Sequence, residues 1–92
     1  MKIKDNKNAE KLISVLGKII KHKRQIQNKT IYKISAEIGM NKETWREIEY
    51  GFNDLRFTTF WRIAEGLDIP AEKLLTEIIE ELGEDFSLTD IK

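Results

Sequence analysis

Between Ile38 and Lys42 lie three residues, Gly39, Met40 and Asn41, in which one helical repeat stops and another begins. Upstream, Ile31, Ile34, Ser35 and Ile38 recur at spacings of three and four; downstream, Trp45 and Ile48 do the same, the period of a helix buried along one side. Gly accepts the left-handed conformation that ends a helix, and Asn caps the start of the next. The sequence therefore predicts two short helices meeting at a tight corner. Their inward positions are Ile34, Ile38, Met40, Trp45 and Ile48, and small Ser35 stands where the two would cross closely.

The same period runs through the rest of the chain, and no stretch alternates apolar and polar residues as a half-buried strand would. The fold class is all-α, a compact five-helix bundle containing this helix-turn-helix. A first helix is expected over 9–25, with Asn8 as N-cap and Leu12, Ile13, Val15, Leu16, Ile19 and Ile20 as its stripe. Gly17 interrupts that stripe, which points to close packing against another helix. Thr30 caps a second helix over 31–38, and Asn41 caps a third over 42–50 that stops at Gly51. A fourth carries Phe57, Phe60, Trp61, Ile63, Ala64 and Leu67, all read as core. Pro70 opens a fifth bearing Leu74, Leu75, Ile78, Ile79 and Leu82, and the last ten residues are expected to be loose. The chain divides into an N-terminal arm (1–8), a helix-turn-helix domain (9–69) and a fifth helix with tail (70–92).

Net charge is zero but sharply segregated. Residues 1–46 hold 12 Lys/Arg against 4 Asp/Glu, and residues 47–92 hold 4 against 12, so the halves carry +8 and −8. A polyanion can dock on one half and is repelled by the other. There are no cysteines and one histidine, His22, so thiolate metal sites are excluded and no histidine-rich site can form. No cofactor is implied. No apolar run approaches the roughly 18 residues that span a bilayer, and the first residues lack a secretion signal, so a cytoplasmic location is expected.

On the third helix the outward positions are Lys42, Glu43, Arg46 and Glu47, with Thr44 at the boundary. Such a helix can bury one side and present the other to a major groove about 12 Å wide. Lys29, Lys33, Tyr50, Asn53 and Arg56 lie in or beside the flanking loops, and Thr30 and Asn41 at helix starts, where phosphate contacts would be made.

Over residues 16–75 the sequence resembles the Cro and phage-repressor, or XRE-like, helix-turn-helix family. The matching stretches are Leu16-Gly17-Lys18-Ile19-Ile20, Arg24, Gly39-Met40-Asn41, Ile48-Glu49-Tyr50-Gly51, Ile63-Ala64-Glu65-Gly66-Leu67 and Ile69-Pro70-Ala71-Glu72-Lys73-Leu74-Leu75, in that order. The resemblance implies a transcriptional regulator whose third helix enters the major groove of double-stranded DNA, usually as a two-fold dimer on a palindromic operator. It places Lys42, Glu43, Thr44 and Glu47 at base edges, with Arg46 a neighbouring candidate. Lys42 would donate to guanine, Glu43 or Glu47 would accept from cytosine, and the Thr44 methyl would meet thymine. It also implies a structural salt bridge between Arg24 and Glu49. One departure is Ile31, where many relatives place a phosphate-binding Gln.

No nucleophile with a paired histidine and no phosphate-cradling glycine loop is present, so an enzyme is not expected. Glu77, Glu80, Glu81 and Glu84 read as a solvated helical face. The alternative is an antitoxin-like or adaptor module that keeps the same helices for binding a protein partner, favoured by Glu43, Glu47 and Ile31. The apolar stripe on the fifth helix predicts a homodimer through Leu75, Ile78, Ile79 and Leu82, as in short restriction-modification controller proteins.

Overall fold

The computed structural model describes residues 6–89, which form five helices and no strand: α1 (Lys7–Ile26), α2 (Ile31–Glu37), α3 (Lys42–Glu49), α4 (Phe57–Gly66) and α5 (Ala71–Leu82). α1 lies against α3 and α5, α2 against α3 and α4, and α4 against α5. The all-α, five-helix expectation holds. Among the described residues no helix is long and apolar enough to cross a membrane.

Local chemistry sets most of the boundaries. The Thr30 side chain accepts from the Lys33 N–H at the start of α2, and Asn41 accepts from the Glu43 N–H at the start of α3. α2 ends in a turn in which Met40 N–H reaches back to the Ser35 carbonyl at 2.8 Å, with Gly39 at φ +67°. A side chain at Gly39 would meet strain from that positive φ alone, so the corner depends on this residue. Pro70, lacking an N–H, precedes α5 at no hydrogen-bonding cost.

α1 begins earlier than its apolar stripe indicated. Its N-cap is Asn6, which accepts from the N–H groups of Asn8 and Ala9. Asn8 is instead inside the helix and donates its side-chain amide to the Ser87 carbonyl at 2.7 Å, while Asn6 donates to Leu88. The tail is thus not loose where it is described: residues 83–89 fold back over the start of α1, with Phe86 and Ser87 half-buried. The expected arm narrows accordingly. Residues 1–5 and 90–92 lie outside the described residues.

The core is built from Leu16 and Ile20 of α1, Ile34 of α2, Trp45 and Ile48 of α3, Phe60, Ile63 and Ala64 of α4, Leu67, and Leu74 and Ile78 of α5. Ser35 is buried and bonds the Ile31 carbonyl, so its hydroxyl carries no unmet polar cost at the α2–α3 crossing. Two aromatic assignments fail: Phe57 is 67% exposed and Trp61 51% exposed. They flank the stripe of Phe60, Ile63, Ala64 and Leu67 that faces the interior; Phe57 stacks on Phe60 and meets Trp61 edge-on.

α1 crosses α3 closely at Gly17. A Cβ added at Gly17 would press on the Ile48 carbonyl oxygen and lie 2.8 Å from that of Glu49. Both opposing atoms are backbone and neither can rotate away. Gly17→Ala is therefore expected to destabilise the protein by about 1–3 kcal/mol in urea denaturation, although the same change in an open helix would gain about 1 kcal/mol. An unchanged or raised midpoint would refute this packing.

Candidate functional site

α3 has two sides with different jobs. Its inner side is fixed by a buried polar network. Arg24 of α1 grips Glu49 through Nε to Oε2 at 2.6 Å and Nη2 to Oε1 at 3.0 Å, and its Nη1 donates to the Lys29 carbonyl at 2.8 Å. The Trp45 indole N–H donates to the same Glu49 Oε2 at 2.6 Å. The Arg24 and Glu49 side chains are 11% and 3% exposed, and Trp45 is fully buried. The salt bridge expected from sequence is present, and Trp45 adds a donor that its apolar position alone did not indicate. Its spacing from Glu49, one helical turn, was the available signal.

A second clamp holds the corner before α3. Arg62 of α4 donates from Nη2 to the carbonyls of Ile38 at 2.7 Å and Gly39 at 3.1 Å, the orphan acceptors at the end of α2. Gln27 likewise donates its side-chain amide to the Leu67 carbonyl. Neither residue was singled out in the sequence, because each acts on a backbone group far along the chain.

The outer side of α3 is polar and accessible. Lys42, Glu43 and Glu47 are exposed, Arg46 and Thr44 partly so. Arg46 Nη1 donates to Glu43 Oε1 at 2.6 Å. That hydrogen bond, reinforced by the guanidinium charge, holds the Glu43 carboxyl below the usual carboxylate range and raises Arg46 in turn. Glu47 accepts weakly, at 3.4 Å, from the Asn53 amide in the loop after α3. Both carboxylates on this face thus have partners.

Around it, the other expected contact residues are dispersed in role. Lys33 and Arg56 are exposed, and Arg56 stands at the start of α4 without making a side-chain cap. Lys29 is tied to Glu37 at 2.8 Å, which keeps the Glu37 carboxyl below its ordinary range. Thr30 and Asn41 spend their side-chain oxygens on capping. Tyr50 is exposed and lies against exposed Phe52, ring centroids 6.0 Å apart. Ile31 packs against the core rather than facing outward. Among the described residues no group of three or more His, Asp or Glu is placed to hold a metal ion.

The proposed dimer stripe on α5 is divided. Ile78 is buried, so it is not available to a partner, and Leu82 is partly buried against the core. Leu75 and Ile79 are 43% and 56% exposed, one helical turn apart on the adjacent stripe. Leu75 lines one hollow with Phe57, Leu12 and Ile13, and another with Trp61, Ile69 and Pro70. The apolar surface is therefore made by α4 and α5 together.

No protein-family model and no curated protein matches this chain in sequence, so its functional reading rests on the residues and their arrangement.

The network makes a graded prediction. Glu49→Gln keeps an acceptor for the Trp45 N–H but leaves the buried Arg24 charge unneutralised, and is expected to cost about 3–5 kcal/mol in chemical denaturation. Trp45→Phe keeps most of the ring burial, strands no charge and is expected to cost less, about 1–3 kcal/mol. The reverse order would show that packing, not charge, dominates the junction.

Proposed function

We propose that this protein is a sequence-specific double-stranded DNA-binding regulator of the Cro and phage-repressor type, with α3 as the recognition helix in the major groove. The observation that carries the reading is the two-sidedness of α3. Its inner side is locked by Arg24, Glu49 and Trp45, and its outer side offers Lys42, Glu43, Thr44, Arg46 and Glu47 at the end that follows a tight, clamped corner. A groove reader needs a rigid helix whose exposed side chains are held in register, because a small displacement moves every donor off its base edge. In this reading exposed Lys33, Tyr50 and Arg56 and half-exposed Asn53, in the segments before and after α3, would meet phosphates. Acidic α5 packs on α1 and α4.

Binding to a randomised duplex pool tests this. Retention at low ionic strength is expected, falling by roughly 10²–10³-fold between about 50 and 200 mM salt if four or five phosphates are engaged. Lys42→Ala is expected to change the preferred base at one position, and Arg56→Ala to weaken binding evenly across sequences. Absence of any salt-sensitive duplex binding would end the DNA reading.

A palindromic operator requires a second subunit, and the exposed apolar surface of Leu75, Ile79, Phe57 and Trp61 is the surface for it in this proposal. Wild-type protein is expected to be dimeric by light scattering at tens of micromolar, and Leu75→Asp with Ile79→Asp monomeric but folded. A monomeric wild type would remove the dimer from the scheme.

The adaptor or antitoxin-like reading retains one specific support: the Tyr50–Phe52 pair and Glu43 and Glu47 make a surface beside α3 that is apolar and acidic. Co-purification of a protein partner, together with loss of that partner on Phe52→Ser and no duplex binding, would favour it.

A further inference from the structure

The two arginines that pair with carboxylates in this fold do so by different edges. Arg24 spends its side-on fork, Nε with Nη2, on both oxygens of Glu49. Arg46 spends only Nη1, on one oxygen of Glu43, and its Nε and Nη2 donate to no acceptor among the described residues. That fork is the geometry that reads the O6 and N7 of guanine. Glu43 in turn keeps Oε2 as an acceptor, and its backbone N–H is satisfied by the Asn41 side chain. The pair lies on the outer side of α3, its side chains 42% and 61% exposed.

We infer that Glu43 and Arg46 act as one preassembled base-reading unit, Arg46 taking a guanine through Nε and Nη2 while Glu43 accepts from the N4 of a cytosine in the neighbouring base pair. This rests on the DNA-binding reading and specifies how its recognition helix discriminates. Two physical points carry it. The ion pair orders a long, rotamer-rich side chain before DNA arrives, so less freedom is lost on binding. It also neutralises a carboxylate that would otherwise face the phosphates unpaired, which removes the objection to acid on a groove-reading helix.

The experiment is selection of duplexes from a random pool by the wild type, Glu43→Gln, Arg46→Lys and the double variant; both positions are solvent-accessible, and helical content is checked by circular dichroism. The wild type is expected to select a guanine beside a C·G pair in each half-site. Arg46→Lys keeps the charge but lacks the fork, and is expected to lower discrimination for that guanine by about ten-fold or more. Glu43→Gln is expected to relax the neighbouring cytosine and, by freeing Arg46, to loosen the guanine as well. The double variant should be no worse at the guanine than Arg46→Lys alone. If both single variants select the wild-type sequence and differ only in overall affinity, or if the wild type selects no such step, the unit is overturned while DNA binding stands. If the wild type enriches no duplex, both readings fall.

Discussion

Glu49 is the acceptor at which three parts of the chain meet. Arg24 brings α1 to it, Trp45 brings the preceding turn of α3, and the third Arg24 donor fixes the backbone at Lys29 just before α2. A buried ion pair adds little stability over a well-packed apolar substitute, because desolvation offsets most of the attraction, but losing one partner is severe. Its value here is positional. The two-pronged grip of Arg24 from α1 on the Glu49 carboxylate restrains the rotation of α3 about its own axis, and the Trp45 bond within α3 holds that carboxylate in place.

From that junction the rest of the site follows. Gly17 lets α1 approach the α3 backbone closely enough for Arg24 to reach Glu49 side-on. Arg62 then fixes the corner between α2 and α3 from the opposite side, through carbonyls that the end of a helix leaves without partners. Held from both flanks, α3 has little freedom to reposition its outer face, and Glu43 and Arg46 can be ordered against each other rather than against the scaffold.

Much of this was legible from residue types. The corner at Gly39 and Asn41, the caps Thr30 and Asn41 and the inward positions of α3 all depend on short-range periodicity or capping chemistry, and the structure agrees with them; the Arg24–Glu49 pair, 25 residues apart, was expected only from the family resemblance, and it is present. The failures share a cause. Phe57 and Trp61 flank the buried stripe of α4, where an apolar residue has the same periodicity whether a neighbouring helix covers it or not. Ile78, expected on the dimer face, belongs to the core instead, because the size of the core cannot be summed from one helix. Asn6 and Asn8 offer the same capping chemistry two residues apart; the structure gives the cap to Asn6 and turns the Asn8 amide to the returning tail.

What the sequence alone determined was the set of helices and the two-faced character of α3, since hydrophobic period and capping act over one or two turns. The tertiary structure alone decided which of the outward charges on α3 stand paired, which backbone carbonyls Arg62 and Gln27 satisfy, and which apolar stripe stays uncovered. Those choices depend on helices distant in sequence arriving at a common point, and no local preference encodes the distance between them.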